Sequence, residues 1–185
     1  MVSTNNLKNG MTLLIDGKLQ QVVEWQHHKP GKGGAVVRTK LKAIESGKVV
    51  DRTFRAGEDV EQAIVERSTV QFLYREGEDY VLMDNASFEQ LQAPASAIGD
   101  AADYLVEGDE LQIQMYDGRI VGVELPASKD LAVAHTDPGF AGNTATSSTK
   151  PATLQTGKEI QVPLFIEPGE TVKVDTRSGE YLSRA

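Results

Sequence analysis

The sequence contains no cysteine among its 185 residues. Without a thiol there can be no disulfide framework, no thiolate metal site and no cysteine nucleophile. Long hydrophobic runs are missing as well, since no stretch approaches the length of a membrane span. The first residues do not have the basic start and apolar run of a signal peptide. The sequence therefore predicts a soluble, cytoplasmic protein that does not contact a membrane.

Recognisable catalytic patterns are also absent from the sequence. Neither a phosphate-binding P-loop nor a dinucleotide fingerprint occurs, and no Ser/His/Asp grouping has local support. His27 and His28 are neighbours on a predicted strand, so their side chains point to opposite faces and cannot easily hold one ion. Adjacent acids such as Asp109 and Glu110 are typical of solvated turns. We therefore expect a protein that is not an enzyme and has no metal site and no cofactor.

Charge is divided unevenly along the chain, although its net value is −8. Residues 27–55 carry eight Lys or Arg against two acids, whereas residues 64–128 carry three against thirteen. Phosphate contacts need Lys and Arg, so the basic segment could meet RNA while the acidic middle is repelled by it. A solvated strand face that carries Arg38, Lys40 and Lys42 would explain the same charges.

Strand patterns dominate the chain. Two Asp-Gly pairs, at 16–17 and 117–118, lie between β-rich runs and favour tight hairpin turns. One short helix is predicted around residues 97–104, and the polar, aperiodic segment 136–150 has the composition of a long exposed loop. The pattern predicts an all-β chain of three small β-barrel domains in tandem, at 1–63, 64–128 and 129–185.

A glycine-rich turn, Pro30-Gly31-Lys32-Gly33-Gly34, separates two of the predicted strands. Proline fixes its own φ, and the glycines permit backbone conformations that other residues avoid. The result is a narrow tip with one long side chain. The seven residues 22–28 would span about 23 Å as a strand, which could carry the lysine into a deep cleft. An ordinary hairpin loop with a surface lysine would explain the same residues.

Several separated segments resemble the elongation factor P family. They are the tip with its flank 35–42, the segment Ser46–Asp51, and a C-terminal set that includes Lys150-Pro151-Ala152-Thr153, Val162-Pro163-Leu164-Phe165 and the run Lys173–Tyr181. The resemblance covers essentially the whole chain, in the same order. It implies an N-terminal KOW/SH3-like barrel followed by two OB-fold domains.

The resemblance also implies a function in translation. The family binds the ribosome between the peptidyl and exit sites and promotes peptide-bond formation at consecutive prolines by positioning peptidyl-tRNA. Ordering two reacting ends lowers the entropic part of a barrier without supplying a chemical group. The ribosome and peptidyl-tRNA are therefore the expected partners of a monomeric chain.

The site residues follow from the same resemblance. Lys32 is the functional tip and the candidate modification site, so a Lys32-modifying enzyme would be a further partner. The tip loop comprises Pro30, Gly31, Gly33 and Gly34. The candidate RNA contacts are Lys29, Arg38, Lys40, Lys42, Gly142, Asn143, Thr144, Tyr181 and Arg184. Asn143 stands where the family commonly has Asp, and a packing role would explain Tyr181 equally well.

Two other interpretations fit the sequence. The elongation factor P-like paralogue shares the three-domain plan, although its tip usually differs from Pro-Gly-Lys-Gly-Gly. A KOW/OB RNA-binding module that acts away from the ribosome would show the same basic segment and the same barrels. Binding to free RNA and to ribosomes, compared by sedimentation, would distinguish such a module from a factor that acts on the ribosome.

Overall fold

The computed structural model describes residues 1–29, 31, 33–139 and 149–185. Sixteen strands within these ranges form three sheets of six, five and five strands. The all-β prediction is confirmed. No helix in the described ranges is long and apolar enough to cross a membrane.

The first sheet is formed by the N-terminal third of the chain. Its strands are β1 (Val2–Ser3), β2 (Thr12–Ile15), β3 (Lys18–His28), β4 (Val36–Ala43), β5 (Val49–Arg55) and β6 (Asp59–Ala63). Their spatial order is β1-β6-β2-β3-β4-β5. A short 3-10 helix, Thr4–Asn6, follows β1.

The turn between β2 and β3 has the predicted tight form. Ile15 pairs with Lys18, so Asp16 and Gly17 are the only residues between the paired strands. Both have positive φ, at 51° and 75°. Two consecutive left-handed residues match the right-handed twist of a hairpin, and Asp-Gly tolerates them well.

Strand β4 shows why this sheet has one buried face and one charged face. Val37, Thr39 and Leu41 are buried, whereas Arg38, Lys40 and Lys42 alternate with them and are exposed. Successive side chains of a strand point to opposite faces, so a period of two separates core from solvent. Val37 and Leu41 join a core of Leu7, Leu13, Ile15, Val22 and Phe54.

The second sheet contains the next five strands. They are β7 (Glu66–Glu76), β8 (Asp79–Asp84), β9 (Gln90–Ala93), β10 (Glu110–Tyr116) and β11 (Arg119–Glu124), in the order β11-β10-β7-β8-β9. The expected helix is present but begins earlier and is mostly 3-10: α1 covers Ala95–Ile98, and a 3-10 helix covers Gly99–Asp103. Gly99 has a φ of 54°, a conformation that ends an α-helix.

The third sheet contains β12 (Ser128–Thr136), β13 (Thr149–Leu154), β14 (Glu159–Pro163), β15 (Thr171–Asp175) and β16 (Tyr181–Arg184). The spatial order is β14-β13-β12-β15-β16. Nine buried residues of 131–174 pack around Tyr104, which precedes the sheet in sequence. The predicted loop shrinks at both ends because β12 continues to Thr136 and β13 begins at Thr149.

The chain divides into two compact units. One comprises residues 1–68 with 113–122, and the other comprises 69–112 with 123–185. The three sheets agree with a tandem all-β plan, while the domain boundaries after residues 63 and 128 stay a prediction. In the second unit, Lys158 Nζ lies 2.8 Å from Asp103 Oδ2, and Thr156 Oγ1 donates to the Asp103 carbonyl at 2.6 Å.

Candidate nucleic-acid interface

The glycine-rich turn connects β3 to β4 at one end of the first sheet. The last paired residues of these strands are His28 and Val36. Lys29, Gly31, Gly33 and Gly34 are exposed. Gly33 has a φ of 122°, which L side chains rarely adopt. Pro30 and Lys32, the residue on which the tip prediction depends, lie outside the described residues.

The structure changes one detail of the expected tip. Strand β5 pairs with β4 as far as Arg55 and Val36, so a third strand supports the hairpin up to its last pair. Val37, directly behind that pair, is fully buried. The alternation of apolar residues in β4 continues almost to the turn, which keeps the strands on the core. The two strands therefore do not extend as an unsupported pair, and the sequence between their last pair is residues 29–35.

Three cations of β4 form a row on the exposed face. Arg38 lies between Gln26 of β3 and Thr53 of β5, whereas Lys40 lies between Glu24 and Asp51. Directly opposed residues of antiparallel strands are close enough for their side chains to interact. The two cations therefore have different surroundings, although they are two residues apart on one strand.

Lys40 is engaged by its neighbour. Its Nζ lies 2.8 Å from Glu24 Oε2, and Gln26 Nε2 donates to the other oxygen of Glu24 at 3.1 Å. The hydrogen bond and charge of Lys40 lower the pKa of Glu24, and those of Glu24 raise the pKa of Lys40. Both groups stay ionised near neutral pH, and their charges largely offset one another.

Arg38 and Lys42 differ from Lys40 in this respect. Within the ranges that the structure describes, neither has a carboxylate at ion-pair distance. A groove on this face is lined by Arg38 together with Gln26, Lys40, Thr53, Glu24, Thr39, Asp51 and Arg52. Its polar walls and one unpaired guanidinium suit a phosphate group, which Arg can bind through two hydrogen bonds.

Sequence reasoning missed the neutral and acidic side chains of this groove, Glu24, Gln26 and Thr53. Their alternation within each strand was a usable signal, but the cross-strand partners depend on register. A register shift between Val22 and Glu24 changes which residues of β3 face Arg38 and Lys40. Such a bulge inserts a residue without any clear mark in the sequence.

The C-terminal candidates lie apart from this face in sequence and belong to the other compact unit. Tyr181 is half-buried and packs against the core of the third sheet. Arg184 lies 2.9 Å from Glu170 Oε1, and its guanidinium stands over the ring of Phe165 at 4.9 Å. Both side chains have partners in the chain, and their RNA contacts stay a prediction. Gly142, Asn143 and Thr144 lie outside the described residues.

The histidines do not form a metal site in the described ranges. No group of three or more His, Asp or Glu side chains there is arranged to hold an ion. His27 instead makes a T-shaped contact with Trp25, with ring centroids 5.2 Å apart and planes at 84°. Trp25 packs against the first-sheet core, so this pair has a structural explanation.

Three family models match consecutive parts of the chain. The elongation factor P KOW-like domain matches residues 3–60, the elongation factor P OB domain matches 65–123, and the elongation factor P C-terminal domain matches 130–184. The expected KOW-like and OB folds are therefore confirmed by family. Together the three matches cover nearly all of the chain.

Curated relatives match over their full length. Elongation factor P of Corynebacterium urealyticum is 57% identical over 184 residues, which is 100% of this chain and 98% of the relative. Elongation factor P of Acidothermus cellulolyticus is 56% identical over 185 residues, 100% of this chain and 99% of the relative. Among solved structures, eukaryotic translation initiation factor 5A from Methanococcus jannaschii aligns at 28% identity with a TM-score of 0.52, covering 66% of this chain and 92% of that one. Models, relatives and fold agree, and the chain belongs to the elongation factor P family of translation elongation factors.

Proposed function

We propose that this chain binds the ribosome between the peptidyl and exit sites and promotes peptide-bond formation at consecutive prolines. It does so by positioning peptidyl-tRNA, and the ribosome performs the chemistry. Proline is a constrained secondary amine and a poor acceptor, so orientation limits the rate. Holding the reacting ends in place removes part of that entropic barrier.

The observation that carries the proposal is the exposed glycine-rich turn at the end of the β3–β4 hairpin. A Cβ built on Gly31 or Gly34 would meet no atom within 4 Å, so both glycines have open space around them. Lys32 stands between glycines in the sequence and has no bulky neighbour there. Its ammonium can approach the phosphate and ribose oxygens of a tRNA end as a compact point charge.

The distribution of charge supports contact between the first sheet and RNA. The first sheet presents Arg38 and Lys42 without carboxylate partners in the described ranges, and the middle of the chain is strongly acidic. RNA attracts the first region and repels the second. We therefore propose that the first sheet faces tRNA or ribosomal RNA, and that the acidic middle faces solvent or a basic ribosomal protein.

The remaining expectations complete this proposal. The chain acts as a monomer in the cytoplasm, without a cofactor and without catalysing a reaction itself. Lys32 can act as an unmodified cation or after modification by a dedicated enzyme. The intact mass of protein from its native host distinguishes these two states, because a modification adds a defined mass to the chain.

The test is a translation reaction on a message with a run of proline codons, beside a proline-free message. Lys32→Ala should strongly reduce synthesis through the proline run and leave the control message unchanged. Lys18→Ala is the matched control, because Lys18 is an exposed lysine that directly follows the glycine of a hairpin turn, at the opposite end of β3. It should support synthesis from both messages normally.

Two outcomes would contradict the proposal. Normal synthesis through prolines with Lys32→Ala would exclude the tip mechanism. An equal loss on both messages would indicate misfolding or a general role in elongation. The thermal midpoint of Lys32→Ala distinguishes misfolding from a general role, since a surface substitution should change stability by no more than about 0.5 kcal/mol.

A further inference from the structure

Phe88 is an exposed aromatic residue in a backbone conformation that does not suit it. It precedes β9 in the turn after β8, its φ is 59°, and 71% of its surface is exposed. Within the described ranges only Asp16 and Asp117 share a positive φ without being glycine, and both occupy Asp-Gly turns. Short polar residues tolerate that region, but a bulky side chain there is an outlier.

The turn holds Phe88 in place through several hydrogen bonds. The Asp84 carboxylate accepts from the backbone N–H of Ala86 at 2.8 Å and of Ser87 at 2.9 Å. The Phe88 N–H donates to the Asp84 carbonyl at 2.9 Å, and the Asp84 N–H donates to the Glu89 carbonyl at 2.9 Å. All of these bonds use the backbone of residues 86–89, so glycine at position 88 would preserve them. The fold therefore does not explain the phenyl ring.

The stretch of sequence that contains Phe88 is strongly acidic, although Asp103 and Asp109 within it pair with Lys158 and Lys129. Residues 76–118 contain no Lys, Arg or His. The same stretch contains eleven acids: Glu76, Glu78, Asp79, Asp84, Glu89, Asp100, Asp103, Glu107, Asp109, Glu110 and Asp117. Glu89 follows Phe88 directly, and Glu110 accepts a hydrogen bond of 3.0 Å from Asn85 in the turn. The excess of acids repels nucleic acid here, which argues against base stacking as the use of the ring.

We propose that the turn formed by residues 84–89 docks a basic protein surface, with Phe88 as the apolar anchor. The partner offers an apolar socket bordered by Lys or Arg side chains. An aromatic side chain that enters such a socket supplies most of the binding energy of a small contact. Glu89 and Glu110, beside the turn, favour a positively charged partner and accelerate its association. This inference rests on the proposed ribosome binding and assigns the contact to a basic ribosomal protein.

Stability and binding should separate at this position. Phe88→Gly relieves the backbone conformation, so its thermal midpoint should equal or exceed that of the unsubstituted chain. Its affinity for purified bacterial ribosomes should fall about tenfold, mainly through faster dissociation. Phe88→Tyr keeps a ring and should bind within about twofold of the unsubstituted chain. Ile64→Ala removes another exposed apolar side chain, 79% exposed, and should leave the affinity unchanged.

A crosslink identifies the class of partner. A photoreactive phenylalanine analogue at position 88, irradiated on ribosomes, should yield a product that survives ribonuclease and disappears with protease. A crosslink to RNA, or undiminished ribosome affinity of Phe88→Gly, would overturn the inference while the proposed function stands. If the unsubstituted chain does not bind ribosomes, the proposed function fails first and this inference fails with it.

Discussion

Lys40 Nζ lies 2.8 Å from Glu24 Oε2, across the pair of strands that leads to the glycine-rich turn. Arg38, two residues nearer the turn, has uncharged cross-strand neighbours in Gln26 and Thr53. A cation whose charge is offset within the chain releases fewer counterions when it meets a phosphate. Arg38 should therefore contribute more to RNA contact than Lys40, although the sequence presents them as equals.

Arg38→Ala should weaken ribosome binding more than Lys40→Ala does. The slope of log affinity against log salt should fall by about one for Arg38→Ala and by less for Lys40→Ala. Ribosome pelleting across a series of salt concentrations measures both slopes. Equal losses from the two substitutions would show that the Lys40–Glu24 pair opens on binding.

Glu24→Gln provides the reciprocal test of this pair. It leaves Lys40 without its acidic partner in β3, so ribosome binding should strengthen, and most clearly at low salt. Glu61→Gln removes an equal charge from exposed β6 and serves as the control. A similar gain from both would point to net charge rather than to the pair.

Lys32→Arg distinguishes charge from lysine-specific chemistry at the tip. Arginine keeps the positive charge, but its planar guanidinium is larger and cannot carry a lysine modification. Full activity on the proline message would mean that an unmodified cation is sufficient. Loss of activity would mean that the compact ammonium or a modification is required, and the intact mass then distinguishes these two.

Lys129 should stabilise the second unit through a half-buried contact. Its ammonium donates to the Asp109 carboxylate and, at 2.6 Å, to the Tyr104 carbonyl. Side-chain exposure is only 15% for Lys129 and 23% for Asp109. Lys129→Met keeps the aliphatic stem and removes the donor, so unfolding by urea should cost about 1–3 kcal/mol less.

The matched control for this contact is Lys40→Met. The Lys40–Glu24 pair has the same chemistry, but 52% and 45% of the two side chains are exposed. Exposed ion pairs contribute little, so the loss of stability should be clearly smaller than that caused by Lys129→Met. Equal losses in the two variants would show that burial of the Lys129 contact adds nothing.

Asp175 should make the turn before β16 sensitive to acid. Hydrogen bonds from the Arg177 side chain and from the backbone N–H groups of Arg177 and Ser178 lower its pKa from 3.8 to about 2. Because the pKa is lower in the folded state, the ionised carboxylate stabilises the fold at any pH above its unfolded-state pKa. This stability is lost as pH falls from about 4 to about 2. Carboxyl NMR titration measures the pKa directly. In Asp175→Asn the acid-dependent loss of stability over that window should be smaller.

Local patterns predicted much of the fold. The two Asp-Gly turns and the common strand face of Arg38, Lys40 and Lys42 agree with the structure because neighbouring residues determine them. Strand β6 was harder to predict because it has one buried residue in five and owes its existence to pairing with β1 and β2. The helix was misplaced because Pro94 and Gly99 restrict the α-helical part to four residues.

The candidate site was likewise predictable only in part. Its cations are visible in the sequence, but which of them is already neutralised depends on strand register, and the register shift in β3 has no local signal. Phe88 illustrates the converse. Its neighbours suggest an ordinary polar turn, and only the backbone conformation with the exposure of the ring marks it as unusual.

Tyr104 fills the core of the third sheet from a position that precedes that sheet by more than twenty residues. Val106 and Leu125, also upstream of the sheet, pack against the same core. The last sheet therefore cannot be exchanged between proteins on its own. A chimaera joined at residue 129 would combine the sheet of one protein with the Tyr104 of another, and truncation there would expose Tyr104 to solvent. Recombination among relatives should therefore be tolerated best where residues 104–109 travel together with everything that follows residue 123.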